Sequence, residues 1–260
     1  MNSATLTVVI LTRNEEQNLP RALASLPENV AVLVLDAQST DRTVAIARQA
    51  GAQVIVRPWS DFVEARMFAL RAVQTPWALM LDADEVLDDT LRRAIARNCE
   101  PGSHEPLAPQ VEGYRLSRTT FFCGKPMRIW RGESLLRLFR TDRARLQASP
   151  VTGSDAALHE HWIVDGPTGD LAGTLLHHSY PTLASYRAKF DRYTSIEAEH
   201  LRVSWIRVVC AAAVALARFW WLLLVRGAIW DGWRGWYVAL GSAFYAVVVE
   251  CKTRDCGRRT

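Results

Sequence analysis

The sequence lacks several features that would place it in a common class of protein. Its five cysteines are odd in number and match no metal-binding spacing, so we expect a reducing compartment rather than a disulfide-linked secreted fold. The N-terminus has no basic stretch before its first apolar run, which predicts a core strand there and not a secretory signal. A formal net charge of +4 and the absence of base-reading motifs give no support to nucleic-acid binding.

Long uncharged apolar runs are also missing. Residues 203–225 are apolar but contain Arg207 and Arg218, and the uncharged stretch 235–249 has only fifteen residues. A helix that spans a bilayer needs roughly twenty apolar residues. Neither segment therefore has the pattern expected of a simple transmembrane helix.

The last sixty residues nevertheless differ in composition from the rest. Six of the ten tryptophans lie from Trp205 onward, and four Lys or Arg residues follow Glu250. Tryptophan is typical of the membrane interface, and basic residues favour an anionic leaflet. We expect residues 201–260 to form a helical hairpin that lies on or dips into the inner face of a membrane. A buried helix pair, a dimer interface and a two-pass hairpin remain as alternatives.

Short β-rich runs alternate with helical patterns over residues 5–99. The strands are predicted at 6–11, 30–35, 53–56 and 77–81. Such alternation produces right-handed crossovers and a parallel sheet. A loop rich in Pro and charge then leads to shorter β-like pieces and to a helix over 182–200. We therefore predict an α/β domain over residues 1–200, with a mostly parallel, Rossmann-like sheet and flanking helices.

Two acids follow the predicted strand at 77–81. Asp82 and Asp84 are separated only by the small Ala83. In open α/β sheets, ligands bind beyond the carboxyl ends of the strands. Two carboxylates this close can hold a hard divalent cation through their oxygens. The same pattern also occurs in helix-capping turns, so the motif alone leaves both interpretations open.

Polar residues follow the first two strands as well. Thr12, Arg13, Asn14 and Glu15 end the first strand, and Asp36 ends the second. Because the carboxyl ends of parallel strands share one edge, these residues should line one crevice with the Asp-Ala-Asp motif. The polar groups suit a base and a ribose, and a metal would suit a diphosphate. The competing interpretation is a helix cap at Asn14 and a turn at Asp36.

The chain resembles family 2 glycosyltransferases with the GT-A fold in three segments. These are LTRNEEQNLPRALASL, VLVLDAQSTDRTVAIARQAGAQVI and WALMLDADE, in the family's order and spacing, and the resemblance covers about residues 5–200. The later segments LHEHW and LLHHSYPTLASYRAKFDRYT resemble the subgroup that adds sugars to the lipopolysaccharide inner core, which includes β-1,4-glucosyltransferases. The resemblance implies inverting, metal-dependent transfer of a sugar such as glucose from a UDP-sugar to a lipid-borne glycan. It also implies a location at the cytoplasmic face of a bacterial inner membrane, peripheral or monotopic.

The resemblance also implies roles for individual residues. The nucleotide-sugar would be bound by Thr12, Arg13, Asn14, Glu15, Asp36, Arg66, Asp82 and Ala83. Asp84 and His177 would ligate Mg²⁺ or Mn²⁺, and Glu160 would be the general base, with Glu85 as the alternative base. Arg66 as an exposed helix residue, His177 as a structural histidine and Glu160 as a surface acid are the competing interpretations.

Basic residues between 128 and 145 are candidates for the acceptor site. Arg128, Arg137 and Arg140 are the main ones, because guanidinium groups suit the phosphates and carboxylates of a glycolipid. A solvated surface explains them equally well.

Other functions remain open. The same chemistry could serve a polyprenyl-linked or other envelope glycan. A nucleotidyltransferase would need a glycine-rich basic loop after the first strand, where this chain has Arg13-Asn14-Glu15-Glu16. A non-catalytic membrane scaffold is a further alternative, and the intact acids argue against it.

Overall fold

The chain forms two compact units. The computed structural model describes residues 4–58, 62–99, 110–147, 161–199 and 205–257. The first unit contains the described residues up to Arg118, those from Glu133 to 147, and those from 161 to His177. The second unit contains residues 119–132 and the described residues from His178 onward. The division at residue 178 lies before the boundary that the sequence predicts near residue 200.

The elements follow the predicted alternation in the N-terminal half. In chain order they are β1 (Leu6–Thr12), α1 (Leu19–Ala24), β2 (Ala31–Asp36), α2 (Thr43–Gln49), β3 (Gln53–Val56), α3 (Phe62–Ala72), β4 (Trp77–Asp82), β5 (Glu85–Leu87) and α4 (Asp89–Cys99). The later elements are β6 (Gly113–Phe122), β7 (Lys125–Pro126), β8 (Glu133–Arg140), β9 (Ala144–Gln147), β10 (His161–Val164), β11 (Thr168–Tyr180), α5 (Leu183–Glu199), α6 (Trp205–Leu224) and α7 (Trp233–Gly257). Short 3₁₀ helices cover Arg128–Trp130 and Ala228–Asp231.

The main sheet is mixed. Its strand order is β3-β2-β1-β4-β8-β6-β11-β5. The first four strands are parallel to one another. In contrast, β8 is antiparallel to β4 and β6, and β5 is antiparallel to β11. The predicted mostly parallel sheet is therefore correct only for the first four strands. Between β6 and β8 the chain has only the short β7 and one 3₁₀ turn, which suits an antiparallel pair and not the helical crossover that parallel strands need.

The parallel strands are buried on both faces. Val8 and Ile10 of β1 point to one face, where they pack with residues of α1, α2 and α4. Val9 points to the other face and packs with Ala65 and Ala69 of α3. This two-sided burial explains why these strands read as continuous apolar runs. Polar side chains then occur at the carboxyl ends of the strands, which is where the candidate site lies.

The second unit is built from α5, α6 and α7 with the segment 119–132. Its core contains Phe122, Tyr186, Leu223, Val238 and Ala239. The two C-terminal helices coincide with the apolar segments seen in the sequence. Among the described residues, no helix is both long enough and apolar enough to cross a membrane.

Candidate active site

Three strand ends meet at one edge of the sheet. The parallel register places Thr12 opposite Asp36 and Leu11 opposite Asp82. The predicted convergence of the residues after β1, β2 and β4 is therefore present in the fold.

Asp36 organises the loop that follows β2. It is fully buried, and its Oδ2 accepts hydrogen bonds from Thr12 Oγ1 at 2.8 Å and Ser39 Oγ at 2.6 Å. Its Oδ1 accepts a hydrogen bond from the Ser39 backbone N–H at 2.7 Å. These three hydrogen bonds hold the loop after β2 against the end of β1.

The loops after β1 and β2 hold each other in an uncommon backbone conformation. Asn14 and Gln38 both have left-handed φ angles, +56° and +57°. The Asn14 N–H donates to Ser39 Oγ at 2.7 Å, and Asn14 Oδ1 accepts from the Thr40 N–H at 2.8 Å. Non-glycine residues in this region cost free energy and cluster at functional sites. The paired loops thus form a rigid rim beside the strand ends.

Three other residues predicted to bind the nucleotide-sugar, Arg13, Glu15 and Ala83, lie in different environments. Arg13 is exposed, whereas Ala83 is buried in the core beneath the edge. Glu15 is half-buried, and its backbone N–H donates to Thr43 Oγ1 at 2.8 Å. Of these three, Arg13 is the one that is open to solvent.

Asp82 lies in a network of buried charges. Its Oδ2 is 2.7 Å from the Arg137 guanidinium, and its Oδ1 is 3.3 Å from Arg66. Arg137 also reaches Glu85 Oε1 at 3.1 Å, and Arg118 reaches the same oxygen at 3.5 Å. Burial alone would raise the pKa of Asp82, but Arg137 and Arg66 hold that pKa well below its usual range.

Glu85 belongs to the same network and is more deeply buried than Asp82. Its carboxylate is fully buried, and its Oε2 accepts the Asp82 backbone N–H at 3.1 Å. Burial raises the pKa of Glu85, Arg137 opposes that effect, and the charge of Asp82 adds to it. A group enclosed in this way is poorly placed to take a proton from an acceptor hydroxyl. The geometry therefore favours a positioning role for Glu85.

Asp84 and His177 lie side by side. Asp84 Oδ2 is 3.3 Å from His177 Nε2, because β11 pairs with β5 and sets His177 opposite Glu85. The neighbouring His178 stacks on Phe121 at a centroid distance of 4.8 Å. Within the described ranges, no group of three or more His, Cys, Asp and Glu is arranged as a metal site. One carboxylate and one imidazole fit a Mg²⁺ or Mn²⁺ ion whose other ligands are water and diphosphate oxygens.

The candidate acceptor arginines lie in different environments. Arg137 is buried beside Asp82, so its charge belongs to the acidic network and not to an exposed basic surface. Arg140 is partly exposed and pairs with Asp142 at 3.1 Å. Arg128 belongs to the second unit, is exposed, and donates its backbone N–H to Asp231. Glu160, the predicted base, lies outside the described residues and stays a prediction.

The pairing of Arg137 with Asp82 and Glu85 was missed from the sequence. The available signal is the position of Arg137 between Leu136 and Leu138 in an apolar strand. A charged residue within a buried strand needs a partner of opposite charge. The pattern does not say which acid that partner is.

Comparison with known proteins gives the family. A family model described as Glycosyl transferase family 2 matches residues 7–150, which is more than half of the chain. The chain therefore belongs to family 2 of the glycosyltransferases, it is a hexosyltransferase, and an inverting reaction is consistent with that family.

Individual relatives add detail. The chain is 26% identical over 262 residues to the lipopolysaccharide core biosynthesis glycosyltransferase LpsC of Rhizobium meliloti, covering 95% of this chain and 91% of that protein. It is 43% identical over 91 residues to an uncharacterized glycosyltransferase of Rickettsia felis, which is 35% of this chain and 32% of that one. The fold is similar to a mannosyltransferase from Pyrobaculum calidifontis in complex with GDP-Man and Mn²⁺, with a TM-score of 0.50 and 16% identity over 98% of this chain and 88% of that one. The fold is therefore of the GT-A type.

Proposed function

We propose that the protein transfers a hexose, with glucose as the first candidate, from a UDP-sugar to a hydroxyl of a lipid-borne glycan. The lipopolysaccharide inner core is the proposed acceptor, since the similarity to LpsC extends over nearly the whole chain. The observation that carries the proposal is the pairing of Asp84 with His177 next to Asp82, at the edge where the loops after β1 and β2 also end.

The donor would lie along this edge. The rim of Asn14 and Ser39 supplies fixed polar groups for a nucleoside, and Arg66 supplies positive charge for a diphosphate. The fixed rim and Arg66 would orient the sugar before the reaction.

Asp84 and His177 are the residues that would hold a divalent cation. When bound, Mg²⁺ or Mn²⁺ neutralises the charge that develops on the departing diphosphate. Arg137 and Arg66 keep Asp82 ionised beside this pair, and Glu85 accepts a hydrogen bond from the backbone N–H of Asp82. Asp84 lies in the turn just before β5 and His177 lies in β11, so the antiparallel register of β5 and β11 sets their spacing.

Glu160 is the proposed general base. Inversion at the anomeric carbon requires a carboxylate that accepts the acceptor's hydroxyl proton as the nucleotide leaves from the opposite face. Base action of this kind contributes about 10²–10⁴-fold to the rate.

The test is release of UDP from a panel of UDP-sugars by the purified full chain, with and without Mn²⁺ and a lipopolysaccharide-core acceptor. We expect release that needs Mn²⁺, and a fall in kcat of about 10²-fold or more for Asp84→Asn and His177→Gln. Asp89→Asn, an exposed acid of α4 outside the site, is the matched control and should behave as the wild type. No release from any donor, with no nucleotide-dependent shift in melting temperature, would refute the proposal.

The acceptor is tested separately. A polyprenyl-linked glycan presented under the same conditions decides between the two lipid-borne classes. Faster turnover with the polyprenyl acceptor than with the core oligosaccharide would replace the proposed acceptor and leave the donor chemistry intact.

We place the reaction at the cytoplasmic face of a bacterial inner membrane, with the protein bound peripherally or as a monotopic protein. Its odd number of cysteines and the composition of residues 201–260 support this location. The chain should pellet with inner membranes and resist protease added to intact spheroplasts. Digestion from the periplasmic side would contradict the proposed location.

A further inference from the structure

Exposed apolar side chains are concentrated in one segment of the second unit. Twelve large hydrophobic residues are exposed in the described part of the chain, and all except Val56 lie between residues 214 and 240. We call this surface the tryptophan face. It consists of Trp220, Trp221, Trp230, Trp233 and Trp236 with Val214, Leu216, Leu224, Val225, Ile229 and Leu240. Trp230 is 75% exposed, so this surface is not merely the margin of a core.

The tryptophan face is one side of an otherwise packed helix pair. Leu222 and Leu223 of α6 and Val238 and Ala239 of α7 are buried in the core of the unit. The exposed residues lie on the other sides of the same helices. Each helix therefore has one side in the core and one side open to solvent. The core-facing residues stabilise the fold, whereas the residues of the tryptophan face take no part in that core.

Ring contacts join the exposed sides of the two helices. Phe219 of α6 lies 5.6 Å from Trp220 and 5.8 Å from Trp236 of α7, between ring centroids. Phe219 therefore links the exposed Trp220 of α6 with the exposed Trp236 of α7. Contiguous exposed apolar surface of this kind marks an interaction site.

The charges around the tryptophan face are almost all positive. Asp231 is the only acid between residues 205 and 249, and its carboxylate accepts the backbone N–H groups of Arg128 and Ile129. Arg218 is exposed on α6. Residues 205–260 carry eight Lys and Arg against three acids, so the rest of the chain has a net charge of −1.

Two further arginines lie close to tryptophan rings of this face. The Arg226 guanidinium lies 6.0 Å from the Trp221 ring, and that of Arg234 lies 4.8 Å from the Trp233 ring. Both also donate to backbone carbonyls, Arg226 to Ile129 and Arg234 to Cys123. The rings are thus held by cation–π contacts while one side of each stays open.

We propose that the tryptophan face lies in the headgroup region of a bilayer that contains anionic lipid, with α6 and α7 parallel to the membrane plane. Indole rings favour the interface because they combine an apolar body with one polar N–H. A basic surface with a one-sided apolar face binds such membranes through both burial and charge. A second copy of the chain fits less well, because a two-fold interface would set this positive surface against itself.

The test is partition of the purified full chain onto vesicles of phosphatidylcholine, alone or with about one third phosphatidylglycerol. We expect stronger binding to the anionic vesicles. Trp221→Ser and Trp230→Ser should each lower the partition coefficient by about tenfold, which is the scale of one buried apolar side chain. Arg218→Glu should weaken binding to the anionic vesicles and leave binding to neutral vesicles unchanged. Val56→Ser, the exposed apolar residue outside the tryptophan face, is the matched control and should bind as the wild type.

Circular dichroism and melting temperature must match between variants and wild type, so that loss of fold is recognised. Equal binding by wild type and the Trp221→Ser/Trp230→Ser double variant would overturn the proposal. So would absence of vesicle binding together with a dimer, seen by sedimentation velocity, that Trp221→Ser dissociates. Vesicle binding requires no sugar transfer, so the outcome is independent of the proposed reaction.

Discussion

Arg137 shows how one residue connects stability with the chemistry of the site. It contacts both Asp82 and Glu85, and all three groups are withdrawn from bulk water to different degrees. The buried Glu85 and the partly buried Asp82 are tolerated because a guanidinium with several donors lies between them. The same arrangement keeps Asp82 ionised next to the pair of Asp84 and His177.

Replacing Arg137 should therefore be costly. We expect Arg137→Met to lower the free energy of unfolding by about 3–5 kcal/mol, because it leaves buried carboxylates without their counter-charge. Urea unfolding measures this. Arg140→Met, in the same strand but with an exposed side chain, should change the unfolding midpoint little. Similar losses for the two variants would contradict a buried ion network.

At the scale of the elements, β11 depends on a glycine where it passes α4. Gly173 has φ +108°, and a Cβ at this position would lie 2.2 Å from the backbone nitrogen of Leu91. Only glycine allows both this φ and this close approach. The contact fixes the course of the strand that carries His177.

We expect Gly173→Ala to lower the free energy of unfolding by about 2–4 kcal/mol, because both the backbone and α4 must shift. Thermal or urea unfolding measures the change. Gly169→Ala is the matched control in the same strand, since its Cβ would meet only side-chain atoms, those of Tyr114 at 3.3 Å and Val111 at 3.6 Å. An equally mild effect at both positions would show that α4 and β11 move apart without strain.

Tyr186 of α5 makes the second unit sensitive to alkaline pH. Its ring packs against Phe122 and Tyr180, with centroid distances of 5.3 Å and 5.0 Å. Burial, followed by the neighbouring Tyr180, raises the pKa of Tyr186 to about 12. The folded state therefore retains a phenolic proton that the unfolded chain loses near pH 10.

The contribution of Tyr186 to the stability of the fold is fully present below about pH 10. It is lost as the pH rises toward 12, because the unfolded chain then releases the phenolic proton more readily than the folded protein does. Between pH 9 and pH 11 we expect wild type to lose about 1 kcal/mol more stability than Tyr186→Phe, which has no proton to lose. Urea unfolding at the two pH values measures the difference. Identical pH slopes for the two proteins would mean that Tyr186 ionises freely in the fold.

At the scale of the whole molecule, ligand binding should increase the stability of the folded protein. A ligand that binds only the folded state stabilises it by about 2.7 kcal/mol at one hundred times its dissociation constant. We expect UDP-glucose with Mn²⁺ to raise the melting temperature, and Asp84→Asn to remove the part that depends on Mn²⁺. Differential scanning fluorimetry measures both. A Mn²⁺-dependent shift that persists in Asp84→Asn would place the cation elsewhere.

The amino-acid sequence alone predicts the parallel strands, the polar residues at their ends and the two C-terminal helices. These features are local, because burial on both faces produces continuous apolar runs and helices show their periodicity in neighbouring residues. The family resemblance came from the same segments, in order and spacing, and the family match confirmed it.

Which distant residues meet depends on the tertiary structure. The addition of β8, β6, β11 and β5 to the parallel strands brings Arg137 to Asp82 and His177 to Asp84, across 55 and 93 residues of chain. The tertiary structure also decided which side of α6 and α7 faces the core and which side forms the tryptophan face. Sequence patterns report the environment of each residue, whereas the partner of a buried charge depends on strand order and register, which long-range packing sets.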